Sequence, residues 1–458
     1  MVENAAERLS APTGRRPNVI VFMTDDQGYG DLSCMGSTEV RTPHIDRLAA
    51  SGARFTDWYA ASAVCSPSRA ALLTGRYPGN AGVRSILAGR RQTSGLLPSV
   101  PTLSSELKAL GYRTAMFGKW HLGVREDCRP ERHGFDEAFG FMAGCIDYYS
   151  HIFYWGSPGN PLHDLWHNGK EVYEDGEYFT DLVTRRAVEH IRSIVRDDRE
   201  QPFFLYVAYN APHYPMHAPR KYTDRFAHLP WDRQIMAAML SAVDDGVGDI
   251  VAELERQGIR DDTCIFYQSD NGPSRESRNW LDGKEDPYYG GSAGQLKGHK
   301  FSLYEGGIRV PGIWSWPAVI PAGQTISSPC CAVDVLPTIV GAAGGTAEHL
   351  ERDGIDLLPL LSRGETLPER DLYWELGGQT AVRRGDWKLV LHGQLEEGAP
   401  SADDVHLANV ANDPGERSNE RDRHPELAAE LQAAAERWRA GIETRWEREW
   451  AENARMHR

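Results

Sequence analysis

The segment Cys65-Ser66-Pro67-Ser68-Arg69 sets a thiol, a φ-fixing proline and a guanidinium at the head of an apolar stretch that runs through Leu72-Leu73 to Thr74-Gly75. The stretch reads as a helix whose start presents free N–H groups and the positive end of the dipole. That position lowers a thiol's pKa and favours a negative partner. Other loaded residues stand elsewhere in the chain: Asp25-Asp26, Lys119 with His121, His213, Asp270-Asn271 and Lys300. Three carboxylates and a carboxamide, from Asp25, Asp26, Asp270 and Asn271, make a hard oxygen cage suited to Ca²⁺ or Mg²⁺ and not to zinc. Lys119, Lys300 and Arg69 make an anion clamp. A divalent cation with two lysines and an arginine is what charge dispersal over sulfuryl or phosphoryl oxygens requires.

The elements that must position these groups are legible as apolar runs. Asn18-Val19-Ile20-Val21-Phe22-Met23 reads as a buried parallel strand and ends at Asp25-Asp26. Residues 112–117 form a strand emptying into Lys119 and His121, residues 203–209 one leading to His213, and residues 264–268 one stopping before Asp270. Helices are expected over 42–52, 101–111, 181–195 and 234–257, a strand over 53–59, and functional loops over 134–176. The alternation predicts an α/β fold: a large mixed, mostly parallel sheet sandwiched by helices. In such sheets ligands bind at the carboxyl ends of the strands, so the loaded loops should meet in one site. After about Gly364, short strands over 373–376, 379–384 and 387–392 and a helix over 425–438 predict a smaller C-terminal α+β domain on a short antiparallel sheet. The expected division is a polar tail (1–16), a catalytic domain (17–364) and a C-terminal domain (365–458).

A net charge of −15 over 458 residues argues against a nucleic-acid or anionic-membrane partner. An anionic substrate remains compatible if the cations converge in one pocket. The sequence shows neither an apolar leader near its start nor a run long enough to span a membrane. It reads as cytoplasmic as it stands, and periplasmic or secreted if a leader precedes it. Seven cysteines without a C-x-x-C pair fit reduced, mostly buried thiols, Cys65 apart.

At this point the residues resemble a family. Cys65-x-Pro67-x-Arg69-x4-Thr74-Gly75 is similar to the signature C-x-P-x-R-x4-T-G of the type I sulfatases of the alkaline phosphatase superfamily. The resemblance runs through Asp25-Asp26-x-Gly28-Tyr29-Gly30-Asp31, Thr42-Pro43-x-Ile45-Asp46-Arg47-Leu48-Ala49, Gly118-Lys119-Trp120-His121-Leu122-Gly123, Asp270-Asn271-Gly272, Lys300-x3-Tyr304-Glu305-Gly306-Gly307 and Asp413-Pro414-x-Glu416-x-x-Asn419. It implies an alkaline-phosphatase-like fold and conversion of Cys65 to Cα-formylglycine by a maturase. The aldehyde hydrate would attack sulfur, and its second hydroxyl would then collapse to expel sulfate. It further implies that Asp25, Asp26, Asp270, Asn271 and modified Cys65 hold Ca²⁺, that Arg69 supports the diol, and that Lys119 and Lys300 grip sulfate oxygens. His213 would protonate the departing alcohol and His121 take the proton of the second hydroxyl. Lys300, not Lys297, occupies the family's lysine position.

Substrate choice is expected in the 144–167 loops and the 273–289 insertion, where Asp147, Tyr148, Tyr149, His151, Trp155, His217, Arg275, Arg278 and Trp280 suit a sugar or aromatic ring. His299 is a further candidate for the substrate pocket. Asp147-Tyr148-Tyr149 with Asp164-Leu165-Trp166 and Asn168-Gly169 resembles the arylsulfatase and N-acetylgalactosamine-4-sulfatase-like branch, which points to a sulfated carbohydrate. The competing readings are a phosphonate monoester or phosphodiester hydrolase with the same machinery, and a non-catalytic sulfoglycan-binding protein.

Overall fold

A computed structural model describes residues 16–153, 161–275 and 289–457. The strands of its main sheet, in chain order, are β1 (Asn18–Thr24), β2 (Ala53–Phe55), β3 (Arg113–Lys119), β4 (Glu137–Phe141), β5 (Trp166–His167), β6 (Lys170–Glu171), β7 (Phe203–Ala208), β8 (Thr263–Ser269), β9 (Gly312–Ser315) and β10 (Gln324–Ile326). They lie in the order β10-β2-β9-β8-β1-β7-β3-β4-β5-β6. The five central strands, β8-β1-β7-β3-β4, are parallel, and antiparallel pairs flank them on both sides.

A strand buried on both faces needs a continuous apolar run, and β1 supplies one from Val19 to Met23. Val19, Val21 and Met23 enter one core. Ile20 and Phe22 enter the other. The neighbouring strands divide in the same way, with Phe204 and Tyr206 against Leu205 and Val207. Helices α1 (Pro43–Ala50), α2 (Cys65–Thr74), α3 (Leu103–Ala109), α4 (Phe179–Asp197), α5 (Trp231–Arg256) and α6 (Val335–Ala342) cover the sheet. Residues of α2, α3 and α6 pack in the first core; those of α1, α4 and α5 pack in the second.

The C-terminal sheet is antiparallel, in the order β11 (Asp371–Leu376), β12 (Gln379–Arg384), β13 (Trp387–Gly393), β14 (Asp403–Asn409), with α7 (Pro425–Glu449) against it. Trp374, Ala381 and Val390 also join the first core, so this sheet packs on the main one. Three local expectations change. The strand foreseen over 53–59 breaks into Ala53–Phe55 and Trp58–Tyr59, the second pairing with Cys330–Cys331. The loop region 134–176 contains β4, β5 and β6, and the last helix runs on to Glu449. β14, hidden in a polar segment, completes the small sheet.

Gly118 is where backbone spacing and site meet. Its φ is +118°, and a Cβ there would lie 1.9 Å from the Ala208 carbonyl oxygen on β7. Gly118→Ala must therefore part β3 from β7, at a cost of about 2–5 kcal/mol from strain and overpacking together. Gly364, φ +68° with nothing near, should cost only about 1–2 kcal/mol on the same substitution. Urea unfolding of the two variants checks this contrast, and equal losses would contradict it.

Candidate active site

The carboxyl ends of β1, β8, β7 and β3 converge, as their parallel order requires. Asp25-Asp26 follow β1, Asp270-Asn271 follow β8, and Lys119 is the last residue of β3. Asp26 (φ 62°) and His121 (φ 54°) take left-handed backbone conformations, which turn the chain sharply away from the sheet edge. Cys65 is the first residue of α2, and Arg69 lies four residues on, so both share one helix face. All the ionic groups are buried: Asp25, Asp270, Arg69 and Lys119 are fully so, Asp26 is 4% exposed and Lys300 3%.

Arg69 binds Asp270 Oδ2 through Nε (3.0 Å) and Nη2 (2.7 Å), and Nη2 stands 3.3 Å from Asp25 Oδ1. Its Nη1 donates to the Lys119 carbonyl at 3.3 Å. Lys119 Nζ donates to Asp25 Oδ2 at 2.6 Å, and Lys300 Nζ to Asp26 Oδ2 at 2.9 Å. Cys65 Sγ lies 3.5 Å from Asp25 Oδ1. Asn271 Nδ2 donates to Asp26 Oδ1 at 2.7 Å, which leaves its buried Oδ1 without a hydrogen-bond partner. Lys297, by contrast, lies 4.0 Å over the Tyr304 ring and contacts the Glu416 carbonyl.

Electrostatics separate the carboxyls. Burial pushes Asp26 up, but Lys300, His213 and Lys119 more than offset it and bring it down to about 2. Burial and the Asp25 charge instead raise Asp270 to about 7. Burial also drives the Cys65 thiol well above its usual value, which overrides the lowering expected from a helix start: the thiol is protonated and a poor nucleophile as encoded. Burial, then Lys119, push His121 well below the ordinary imidazole value, so its ring is neutral.

Hydrogen-bond partners fix the two ring orientations. The Leu87 carbonyl, 3.0 Å from His121 Nε2, can only accept; Nε2 therefore carries the proton, and the unpartnered Nδ1 keeps a lone pair. The Tyr214 carbonyl, 2.6 Å from His213 Nδ1, fixes the proton there. His213 Nε2 then turns to the ionic cluster, 3.4 Å from Lys300 Nζ and 3.6 Å from Asp26 Oδ2.

A cavity of about 460 Å³ opens over this cluster, with Cys65, His121, His213 and Lys300 in its lining. Gly144, Cys145 and Phe153 of its outer wall fall in the 144–167 loops where substrate choice was expected, whereas Ile86–Arg90, Phe301, Glu397 and His457 are not suggested by the sequence. No local pattern marks these residues, because they come together only through the fold. Of the groups expected to meet substrate, Tyr148 is fully buried and donates to the Asn210 and His213 carbonyls, and His151 is fully buried. Both are structural with respect to this cavity. Asp147 is tied up by Tyr149 N and Ser150 N, with His217 at 3.3 Å. Neither Tyr149 nor His299 lines the cavity, and Arg275 stacks over Tyr289. Trp155, Arg278 and Trp280 lie outside the described residues.

The donor chemistry fits a divalent cation. Asp25, Asp26 and Cys65 present ligand atoms within 4.8 Å of one another, His213 joins the same cluster, and the unpartnered Asn271 oxygen lies beside it. The oxygen-rich set is what Ca²⁺ prefers.

A family model described as Sulfatase matches residues 17–345. The chain is 33% identical to mouse arylsulfatase J over 415 residues, covering 85% of this chain and 66% of that protein. It is 34% identical to mouse N-acetylgalactosamine-6-sulfatase over 407 residues, covering 85% of this chain and 75% of that one. The crystal structure of Ps i-CgsB in complex with k-i-k-neocarrahexaose superposes with a TM-score of 0.82 at 34% identity, covering 93% of each chain. The chain belongs to the sulfatase family. Its reaction is sulfate-ester hydrolysis, and the arylsulfatase resemblance read from the motifs holds.

The unequal carboxyls predict a pH-dependent response to metal removal. Asp270, raised above its unfolded value of about 4, makes chelated protein less stable as pH rises toward about 7; Asp26, depressed, matters only as pH falls from about 4 to about 2. Added Ca²⁺ should therefore raise the melting temperature of chelated protein more at pH 7.5 than at pH 5.5. Differential scanning calorimetry checks this, and an Asp270→Asn variant should lose the difference between the two pH values.

Proposed function

We propose that this sulfatase hydrolyses a sulfated carbohydrate with Cα-formylglycine, made from Cys65 by a maturase, as its nucleophile, and Ca²⁺ held by Asp25, Asp26, Asp270, Asn271 and modified Cys65. The observation that carries the reading is charge balance at one cavity floor: three buried carboxylates against Arg69, Lys119 and Lys300. A divalent ion among those carboxylates leaves the site positive and the lysines available, which is an invitation to an anionic ester. The carbohydrate reading draws on structural likeness to a protein bound to a neocarrahexaose and on an open cavity large enough for a sugar ring.

When present, the ion supplies charge stabilisation, and the aldehyde hydrate supplies a hydroxyl nucleophile with a geminal hydroxyl that permits sulfate release. The chain's own groups do the rest. Arg69, locked by Asp270, holds the position beside residue 65. Lys119 and Lys300 donate to sulfate oxygens. His213 delivers a proton from Nε2 to the departing alcohol, since its Nδ1 proton is committed to Tyr214. His121 accepts a proton at Nδ1, the one ring position its carbonyl partner leaves open. A thiol raised by burial explains why the encoded cysteine needs conversion.

Cys65→Ala should abolish aryl-sulfate turnover, and peptide mass spectrometry should find the aldehyde in active enzyme; full activity from an unmodified thiol would refute the reading. His213→Ala should lower kcat by about 10²–10⁴-fold and remove the alkaline limb of the pH–rate profile. The acidic limb, set by neutral His121, should lie below the ordinary imidazole value. Turnover of sulfated oligosaccharides above aryl phosphonates, under one set of conditions, separates the sulfate-ester reading from the phosphonate and binding-only alternatives.

A further inference from the structure

A second cluster of ligating side chains stands apart from the ionic cage. We propose that His151, His163 and Asp175 bind a borderline divalent transition ion, of which Zn²⁺ is the type, and that this ion holds one wall of the substrate cavity. Their ligand atoms all lie within 4.8 Å of one another. Two imidazoles and a carboxylate suit zinc, with water completing the tetrahedron, as firmly as the oxygen cage suits calcium.

The histidines are prepared for this. His151 is fully buried, yet neither ring nitrogen has a partner in good hydrogen-bond geometry, the Glu177 backbone being the group nearest to making one. A buried polar group left this way is costly and calls for a partner. The Glu177 backbone nearby offers a partner for the non-ligating nitrogen. His163 shows the same preparation more completely. Its Nδ1 is 3.0 Å from Glu171 Oε1, an atom that Arg91 also approaches at 3.4 Å. The carboxylate fixes the proton on Nδ1 and leaves a lone pair on Nε2, which is buried without a partner. A carboxylate behind a histidine is how proteins orient a metal ligand and raise its basicity. Tyr173 stacks on the ring at 4.3 Å and fixes its plane.

The placement gives the ion a task. His151 immediately precedes Ile152–Phe153, which pairs antiparallel with Leu162–His163, while Asp175 stands just before α4. An ion shared by the three would clip this hairpin to the start of the helix. Phe153 lines the catalytic cavity and packs so closely on Gly89 that a Cβ there would come within 2.3 Å of its ring. The clip therefore fixes an aromatic wall facing the substrate.

The test uses the full chain, stripped with EDTA and dialysed against Zn²⁺ in excess Ca²⁺, so that the oxygen cage is taken by calcium. Zinc is then counted by plasma mass spectrometry. Wild type should hold one equivalent more than a His163→Ala/Asp175→Ala double variant of unchanged circular dichroism. Asp175→Ala alone, at an exposed position, guards against misfolding of the double variant and should weaken zinc binding at least about tenfold. Glu171→Gln should weaken it by about 10–100-fold. Co²⁺ in place of Zn²⁺ should give the visible absorption of a tetrahedral site in wild type only. No zinc in wild type, or equal zinc in wild type and Asp175→Ala, overturns the proposal.

Discussion

Three carboxylates confined to one buried sheet edge are the constraint from which the rest of this structure follows. Taking several charges out of water is expensive unless each is paired and hydrogen-bonded. Here Asp25, Asp26 and Asp270 are almost wholly withdrawn from water, and their partners Lys119, Lys300 and Arg69 come from a strand end, a loop and a helix. Each partner arrives from a different part of the chain, so the cluster closes only when the parallel strands, α2 and the 300 loop are all in place. The same demand explains the glycine at 118: β3 and β7 must approach until a Cβ would strike the neighbouring backbone, and Lys119 is the next residue. Removing any one partner leaves an uncompensated buried charge, which is far more damaging than removing a surface ion pair.

Arg69 joins this balance to residue 65. One guanidinium spans Asp270, Asp25 and the Lys119 carbonyl, and a planar fork does this where lysine's point charge could not. Being one helical turn from Cys65, it transmits the geometry of the strand ends to residue 65. The two histidines are then set apart by their carbonyl partners: the Leu87 oxygen commits Nε2 of one ring, and the Tyr214 oxygen commits Nδ1 of the other. The two rings thus commit opposite atoms, as the proposed pairing of one proton donor with one acceptor requires.

Much of this was legible in the sequence, for local reasons. A strand buried on both faces must be apolar throughout, so β1, β7 and β8 announce themselves, and the polar residues after each are necessarily at a strand end. The parallel order then brings Asp25, Lys119, His213 and Asp270 together. The start of α2 at Cys65 and its stop at Gly75 are equally local. What could not be read depends on tertiary burial. The helix-start argument applied to Cys65 ignores desolvation, which reverses the direction of its pKa. Tyr148 and His151 have the composition of sugar-binding groups but are buried, and no pattern in residues 134–176 distinguishes a loop from the two-residue strands β5 and β6.

The cavity wall shows why substrate preference is the hardest property to read along the chain. Ala88 N donates to the His457 carbonyl and Ser94 N to the Met456 carbonyl, both in the last turn of the chain. Asn453 adds bonds to the Gly95 carbonyl and to Ser94 Oγ, and Trp450 lies against Gly82, where a Cβ would come within 2.8 Å of its ring. The segment 86–90 is therefore held from behind by residues more than three hundred positions away, while Phe153 presses on Gly89 from the cavity side. The two walls are coupled through that glycine: a change in the C-terminal helix that shifts residues 88–89 must also move the aromatic ring facing the cavity. Asp25, Asp26, Asp270 and Lys119 are anchored at the ends of the most buried strands and stay in place, but His121 Nε2 donates to the Leu87 carbonyl of this same segment, so its ring would follow the shift. The buried ionic cluster is thereby insulated from the cavity wall, whereas the His121 ring is tied to it.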